Sequence, residues 1–326
     1  MKKHLSRAGR IVLVAACLAY VFWDVDLKAV GRALTEFDPL GVFLMALMMW
    51  VSFVFAGFRL RFLSERKAGF VDCFNAEALG LGLNNILPAK GGELAKVFYI
   101  RSEASLPFSR SLSIVFWERF FDLNAAFLLG LTAALYMDQA LLALSLGGFT
   151  LAIWVVLAVA KKWPGTVPRI SRLLYFEKLR IFFNETVSRT TEGLRPGYLI
   201  GAALLTLPMW ISYYLEYHFL LFTAAGFDLT GKAAVSIFIL AALGLAAPSS
   251  PGGLGVYEAV IVAALGLFGI DKERAVAAGL VFRFFQYVPI TMYALGILAK
   301  KGLPLRRPDQ GYEAEASDET SARSAT

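Results

Sequence analysis

The chain of 326 residues is 58% hydrophobic and 17% charged, with a mean hydropathy of +0.61. A soluble globular domain is about 45–50% apolar and about 25% charged, so a polytopic membrane protein is expected. Two cysteines and two histidines exclude a disulfide framework and a Cys- or His-built metal or haem site, and neither cofactor nor metal is expected. The net charge of +7 lies in loops between apolar runs, which marks membrane orientation rather than a nucleic-acid surface.

Lys2, Lys3, Arg7 and Arg10 precede an apolar run over residues 11–23. Val14-Ala15-Ala16-Cys17 has the look of a lipoprotein cleavage box, yet the run stays apolar through Leu18 to Trp23, where a processed chain turns polar. An uncleaved first span is therefore expected. Further full spans are expected at 41–58, 111–136, 140–160, 198–225 and 277–298, each near the ~17–25 residues that cross ~30 Å of hydrocarbon.

Two apolar pairs remain, 71–87 with 93–100 and 233–247 with 254–268. The first is broken by Asn84-Asn85-Ile86-Leu87-Pro88-Ala89-Lys90-Gly91-Gly92-Glu93, the second by Pro248-Ser249-Ser250-Pro251-Gly252-Gly253-Leu254-Gly255. At ~1.5 Å per residue, arms of this length reach about half to three-quarters of the hydrocarbon thickness. Each pair reads as entering and returning on one side. Irregular backbone at that depth persists only where protein or water satisfies its N–H and C=O groups.

The expected fold is an all-α polytopic membrane helix bundle of about six full spans plus two re-entrant broken-helix pairs. Residues 1–307 form the membrane domain, and 308–326 a small, polar, acidic tail expected to be disordered. Residues 163–197 are basic and partly amphipathic, and read either as an interfacial helix on an anionic leaflet or as a solvated loop.

With the N-terminus inside, the inside segments hold twenty basic residues, from Lys2 through Arg59, Arg61, Arg66, Lys67 and the 161–195 group to Arg307. The outside segments hold five: Lys28, Arg32, Lys232, Lys272 and Arg274. Both termini are thus expected to be cytoplasmic. The first pair then opens from the cytoplasm and the second from outside. Gly91-Gly92 and Gly252-Gly253 lie 161 residues apart, and the flanking spans nearly keep that offset, the signature of an inverted-topology repeat.

Ionisable residues inside apolar runs are the candidates for function. Glu118, Arg119 and Asp122 fall within helical reach of one another, and Arg283 lies early in the last span. They read as a binding site or, alternatively, as a structural ion pair near the interface and a snorkelling arginine. Glu93 and Lys96 follow the first break and Glu258 follows the second. A helix restarting at Gly92 or Pro251 aims unpaired N–H groups and a positive dipole end into the membrane, with Ser250 as N-cap of the second. Glu93 either caps that end or belongs to an anion cradle supplied with charge by Lys96, Arg119 and Arg283, with hydrogen bonds from Asn84, Asn85, Ser249 and Ser250 and backbone from Gly252 and Gly253. His218, beside Glu216 in the fifth span, reads as a packing residue or as a proton relay.

The run from Asn85 to Lys96, the stretch Glu118-Arg119-Phe120-Phe121-Asp122, and the run from Pro248 to Glu258 with Arg283 together resemble the lysylphosphatidylglycerol synthase transmembrane-region family, also called flippase-like domain proteins. The resemblance covers roughly residues 10–300. Lys96 stands where Arg is common in that pattern, and Tyr257 where a basic residue is common. In bifunctional members a cytosolic domain transfers lysine from its tRNA to phosphatidylglycerol, and no such domain is expected here. The resemblance implies the flippase-like half, moving or binding a polar lipid between leaflets. With the two breaks, the expected function is that of a non-enzymatic inner-membrane transporter that binds a phospholipid or glycolipid headgroup between the broken helices. A membrane-embedded enzyme acting on lipid-linked substrates and an accessory subunit are the rival readings.

Overall fold

The computed structural model describes residues 20–21, 25–87, 90–136, 140–163, 165–172, 176–246 and 253–301, and every regular element among them is helical. In chain order these are α1 (Leu27–Thr35), α2 (Pro39–Leu63), α3 (Phe70–Ile86), α4 (Gly91–Ala104), α5 (Phe108–Tyr136) and α6 (Ala140–Lys162). They continue as α7 (Thr166–Ser171), α8 (Glu177–Glu192), α9 (Pro196–His218) with a π-helical turn over Phe219–Ala224, α10 (Gly231–Ala246), α11 (Val256–Gly266) and α12 (Lys272–Lys301). The tail from 308 and nearly all of the expected first span lie outside the described residues.

Among the described residues four helices are long and apolar enough to cross a membrane: Pro39–Leu63, Ala143–Lys162, Pro196–Ala224 and Lys272–Lys301. With 29 residues α5 has the length, but Arg110, Glu118, Arg119 and Asp122 interrupt its apolar character. Leu128, Leu141, Leu144, Val156, Ile200, Leu204, Leu207 and Met292 are exposed on the outer faces of α5, α6, α9 and α12. So much outward apolar surface calls for lipid rather than water. The molecule is a helical membrane bundle.

Local chemistry starts and stops these helices. Asp38 caps α2 by accepting the Gly41 N–H at 3.2 Å, and Pro39 occupies the first turn, where its missing donor costs nothing. Gly41 also lets the backbone of Ala224 approach, because a Cβ there would collide with it. Asp38 N–H donates to the Ala224 carbonyl at 2.8 Å, so the π turn is tied to the start of α2.

Two hydrophobic cores form, each around one hairpin. The first gathers Leu60 and Leu63 of α2, Cys73, Leu79 and Leu83 of α3, Ile100 of α4, Trp117 and Phe120 of α5, Ala202 of α9 and Ile290 and Ile297 of α12. The second gathers Met45 of α2, Tyr217 of α9, Leu220 and Leu221 of the π turn, Ile237 and Phe238 of α10, Tyr257 and Ile261 of α11, and Val276 and Phe282 of α12. Helices α2 and α12 therefore run from the second core to the first, and α9 runs the other way. Starting in the first core, α5 reaches the second at Leu129. The α3–α4 pair stays within the first core and the α10–α11 pair within the second. Helices α2 to α5 start at Pro39, Phe70, Gly91 and Phe108, and α9 to α12 at Pro196, Gly231, Val256 and Lys272, a nearly constant offset.

Residues 163–197 do more than lie loose. Helix α8 docks on α5: Ser109 Oγ donates to Glu185 at 2.7 Å, and the Trp117 indole N–H reaches the Thr190 carbonyl at 3.2 Å. Beside it, Glu65 accepts a hydrogen bond from Arg195 at 2.6 Å and pairs with Arg110 at 3.2 Å, linking the loop after α2 to the starts of α5 and α9. Partial burial opposes the Glu65 carboxylate, but the Arg195 hydrogen bond and the charges of Arg110 and Arg195 outweigh it and hold the group below the usual carboxylate range. A lowered folded pKa stabilises above the unfolded value of about 4.3, and that contribution disappears as pH falls through the folded value. Thermal unfolding on the acid side is expected to be steeper in pH for the wild type than for Glu65→Gln. Parallel pH profiles for the two would sink the assignment.

Candidate functional site

The first hairpin closes at Gly92, where only glycine fits. A Cβ on Gly92 would strike the Gly80 carbonyl oxygen and sit 2.7 Å from the Asn84 backbone nitrogen. Lys90, in the left-handed conformation at φ 55°, sets up the reversal as N-cap of α4. Asn84 Oδ1 accepts the Gly92 N–H at 2.9 Å, and its amide donates to Glu93 Oε1 at 3.2 Å. The neighbouring Asn85 points elsewhere, donating to Thr291 Oγ1 of α12 at 3.0 Å. Asn84 thus caps the broken helix, where the sequence offers either Glu93 or an external anion as alternatives.

Behind the turn, seven ionisable side chains form a continuous ladder. Lys96 Nζ lies 2.5 Å from Glu77 and 2.8 Å from Glu118. Glu118 stands 3.8 Å from Arg59, and Arg59 grips Asp122 at 2.6 Å while donating to Thr206 Oγ1 at 3.3 Å. Asp122 pairs with Arg119 at 3.3 Å, and Arg119 reaches Glu93 at 3.7 Å, back on the helix that carries Lys96. Arg59, Lys96, Glu77 and Glu118 are buried. Glu93 and Asp122 are partly buried, and Arg119 is the most exposed, with 51% of its side chain accessible.

Two members of this ladder escaped the sequence reading. Arg59 belongs inside α2 and not to a cytoplasmic loop, because the helix runs on to Leu63, past the end of the apolar run. Glu77 is a lone carboxylate within the apolar run of α3, and the rule that singled out Glu118 applies to it equally.

The second hairpin is organised around Arg283 of α12. Its Nε lies 2.7 Å from Glu258 Oε1, a terminal nitrogen lies 3.3 Å from Oε2, and the same nitrogen donates to the Gly253 carbonyl at 3.1 Å. Glu258 Oε2 also accepts the Gly255 N–H at 2.7 Å, capping α11. The guanidinium sits 4.5 Å from the ring centroids of both Tyr257 and Tyr287. Tyr257 in turn shares a 3.0 Å hydrogen bond with Tyr217 of α9.

In the second arm helix α11 begins at Val256, and Pro251, where a restart was expected, lies outside the described residues. Gly253 and Gly255 adopt φ of 73° and 83°, a backbone that glycine favours, and Gly255 is the N-cap of α11. Ser249, Ser250 and Gly252 lie outside the described residues. Arg119 and Arg283 fall into separate clusters, one in each core, and among the described residues no ion pair joins them.

The lysylphosphatidylglycerol synthase TM region model matches residues 7–294 of the sequence. The chain belongs to that family. It is also similar to a UPF0104 membrane protein from Methanothermobacter thermautotrophicus, at 23% identity, over 89% of this chain and 93% of that protein. The family match covers both hairpins and both ionic clusters. Lys96 and Tyr257 are both buried and stand at the same place relative to their glycine pairs, four residues after the second glycine of each, in α4 and in the first turn of α11. One closes its cluster with charge and the other with a phenolic hydroxyl.

Proposed function

We propose that the chain translocates a polar lipid, a phospholipid or glycolipid, between the leaflets of the inner membrane, without enzymatic turnover. The headgroup enters beside Arg119, and both termini face the cytoplasm. The proposed site comprises the two hairpin turns with Asn84, Asn85, Glu93, Lys96, Glu118, Arg119, Asp122, Ser249, Ser250, Gly252, Gly253, Glu258 and Arg283. Its two hairpins act as re-entrant elements of an inverted repeat, opening from opposite faces.

The observation that carries this reading is the half-exposed arginine at the end of a buried ion ladder. Arg119 is the one cation of the ladder with surface free to meet a ligand, and a guanidinium recognises phosphate through paired hydrogen bonds. The ladder holds three cations against four carboxylates. That balance favours a headgroup whose phosphate is accompanied by an ammonium or by hydroxyls over a bare phosphate. Further along α5, Asn124, Phe127 and Leu131 face Gly147 and Trp154 of α6 across an apolar groove of about 400 Å³, room for an acyl chain.

Arg119→Ala in proteoliposomes is expected to slow transfer of a labelled phospholipid by about ten- to a hundredfold, the worth of a charge-assisted hydrogen bond of about 1.5–3 kcal/mol. Thermal stability should hardly change, since half-exposed pairs at 3.3 and 3.7 Å contribute little. Wild-type transfer by Arg119→Ala would refute the headgroup site. Arg283→Ala is a poorer probe, because it strands the buried Glu258 carboxylate and disturbs folding first.

A further inference from the structure

Among the described residues four glutamates are buried: Glu77, Glu118, Glu216 and Glu258. Three of them have a lysine or arginine within 4 Å, and so do Glu93 and Asp122. Among the described residues Glu216 of α9 has none. Its carboxyl meets only neutral groups, Ser52 Oγ of α2 at 3.4 Å and the side chain of Gln286 of α12.

Its position is as unusual as its company. Ser52 follows Met49 of the first core and Met45 of the second, and Gln286 lies between Phe282 of the second core and Ile290 of the first. Glu216 therefore occupies the seam where the two cores meet, at the crossing of α2, α9 and α12. Coupling-ion sites of transporters built from inverted repeats lie at such a seam, near the bilayer midplane. The titratable neighbours lead both ways from it. Tyr213 lies within electrostatic range of Glu216 and of Asp122 and Arg59, and Tyr217 within range of Glu216 and Arg283. Gln286 stands one turn from Arg283 on α12.

The surrounding helices also have built-in places to yield. The π-helical turn starts three residues after Glu216, and such turns cluster at functional sites. Pro208 in α9 and Pro289 in α12 each remove an interior helix hydrogen bond, both on the first-core side of the carboxyl.

We propose that Glu216 is the site of a coupling proton: its carboxylate binds one proton from one side of the membrane and releases it to the other during each transport cycle. No other bond is made or broken. A carboxylate without a cation in this setting strains the seam, and a neutral carboxyl can hydrogen-bond to Ser52 and Gln286. The charge change is felt by Gln286, and through α12 by Arg283 and the second hairpin. The proposal rests on the transport reading given above, and the test separates the two.

Wild-type protein and Glu216→Gln would be reconstituted in phosphatidylglycerol–phosphatidylethanolamine vesicles with a labelled phospholipid and an imposed pH gradient. At one proton per lipid, the wild type is expected to build a label asymmetry of up to roughly tenfold per unit of gradient. Glu216→Gln should equilibrate the label without responding to the gradient. A gradient response surviving in Glu216→Gln, or a wild type driven by sodium instead of protons, would overturn the assignment. Infrared titration of the purified protein reads the same site without transport. The wild type should show a protonated-carboxyl band that Glu216→Gln lacks, and identical bands in both would also overturn the assignment. A wild type that has this band but moves no lipid would refute the transport reading and leave the proton site standing.

Discussion

A Lys96→Met chain is expected to lose about 3–5 kcal/mol of stability, a large part of what holds any folded domain together. Met keeps most of the apolar stem of Lys96 and removes only the ammonium. That ammonium lies between Glu77 at 2.5 Å and Glu118 at 2.8 Å, with Lys96 and Glu118 essentially inaccessible. Without it, two buried carboxylates face each other, and the nearest cation is Arg59, 3.8 Å from Glu118. Leaving a buried charge uncompensated is the costly step, whereas removing a matched pair is often close to neutral. The double substitution Lys96→Met/Glu77→Gln should therefore recover most of the loss. A double-mutant cycle by thermal unfolding in detergent measures that coupling. If Lys96→Met melts with the wild type, the ladder is not a buried ionic network.

How much of this arrangement was legible in the sequence depends on what each residue needed to reveal itself. The two hairpins were visible because paired glycines interrupt apolar runs too short to span a bilayer, and both properties are local. Glu118, Arg119, Asp122 and Arg283 were visible as charges where lipid forbids them. Arg59 was hidden by its place at the end of an apolar run next to Arg61, where a basic residue reads as a cytoplasmic anchor. Only the continuation of α2 to Leu63 draws it inside. Ser250-Pro251 has the chemistry of a helix start but lies outside the described residues, and the described helix α11 begins at Val256, after Gly253 and Gly255 at positive φ. The separation of Arg119 from Arg283 was the least accessible. It depends on which core each helix segment enters, a long-range property that spacing along the chain does not encode.

The polar ladder stands on a backbone contact, and that contact supplies the second large expected effect. Gly92→Ala adds one methyl group at the point where α4 crosses α3. The new Cβ would collide with the Gly80 carbonyl oxygen and lie 2.7 Å from the Asn84 nitrogen and 2.8 Å from its Oδ1. Two of those three atoms belong to the backbone, so no rotamer change relieves the clash. The arms must part, which pulls Asn84 from the Gly92 N–H and draws Lys96 away from Glu77. Overpacking of a close contact costs about 1–3 kcal/mol by itself, and weakening the buried pair adds to it. Gly91→Ala is the matched control, because its Cβ would meet only the Leu87 side chain, at 3.2 Å, a contact that eases with a shift of a few tenths of an ångström. Gly92→Ala is expected to melt well below both Gly91→Ala and the wild type and to lose lipid transfer with it. Equal melting of the two alanine variants would mean that the hairpin arms do not meet at Gly80, and the ion ladder built on that crossing would fall with it.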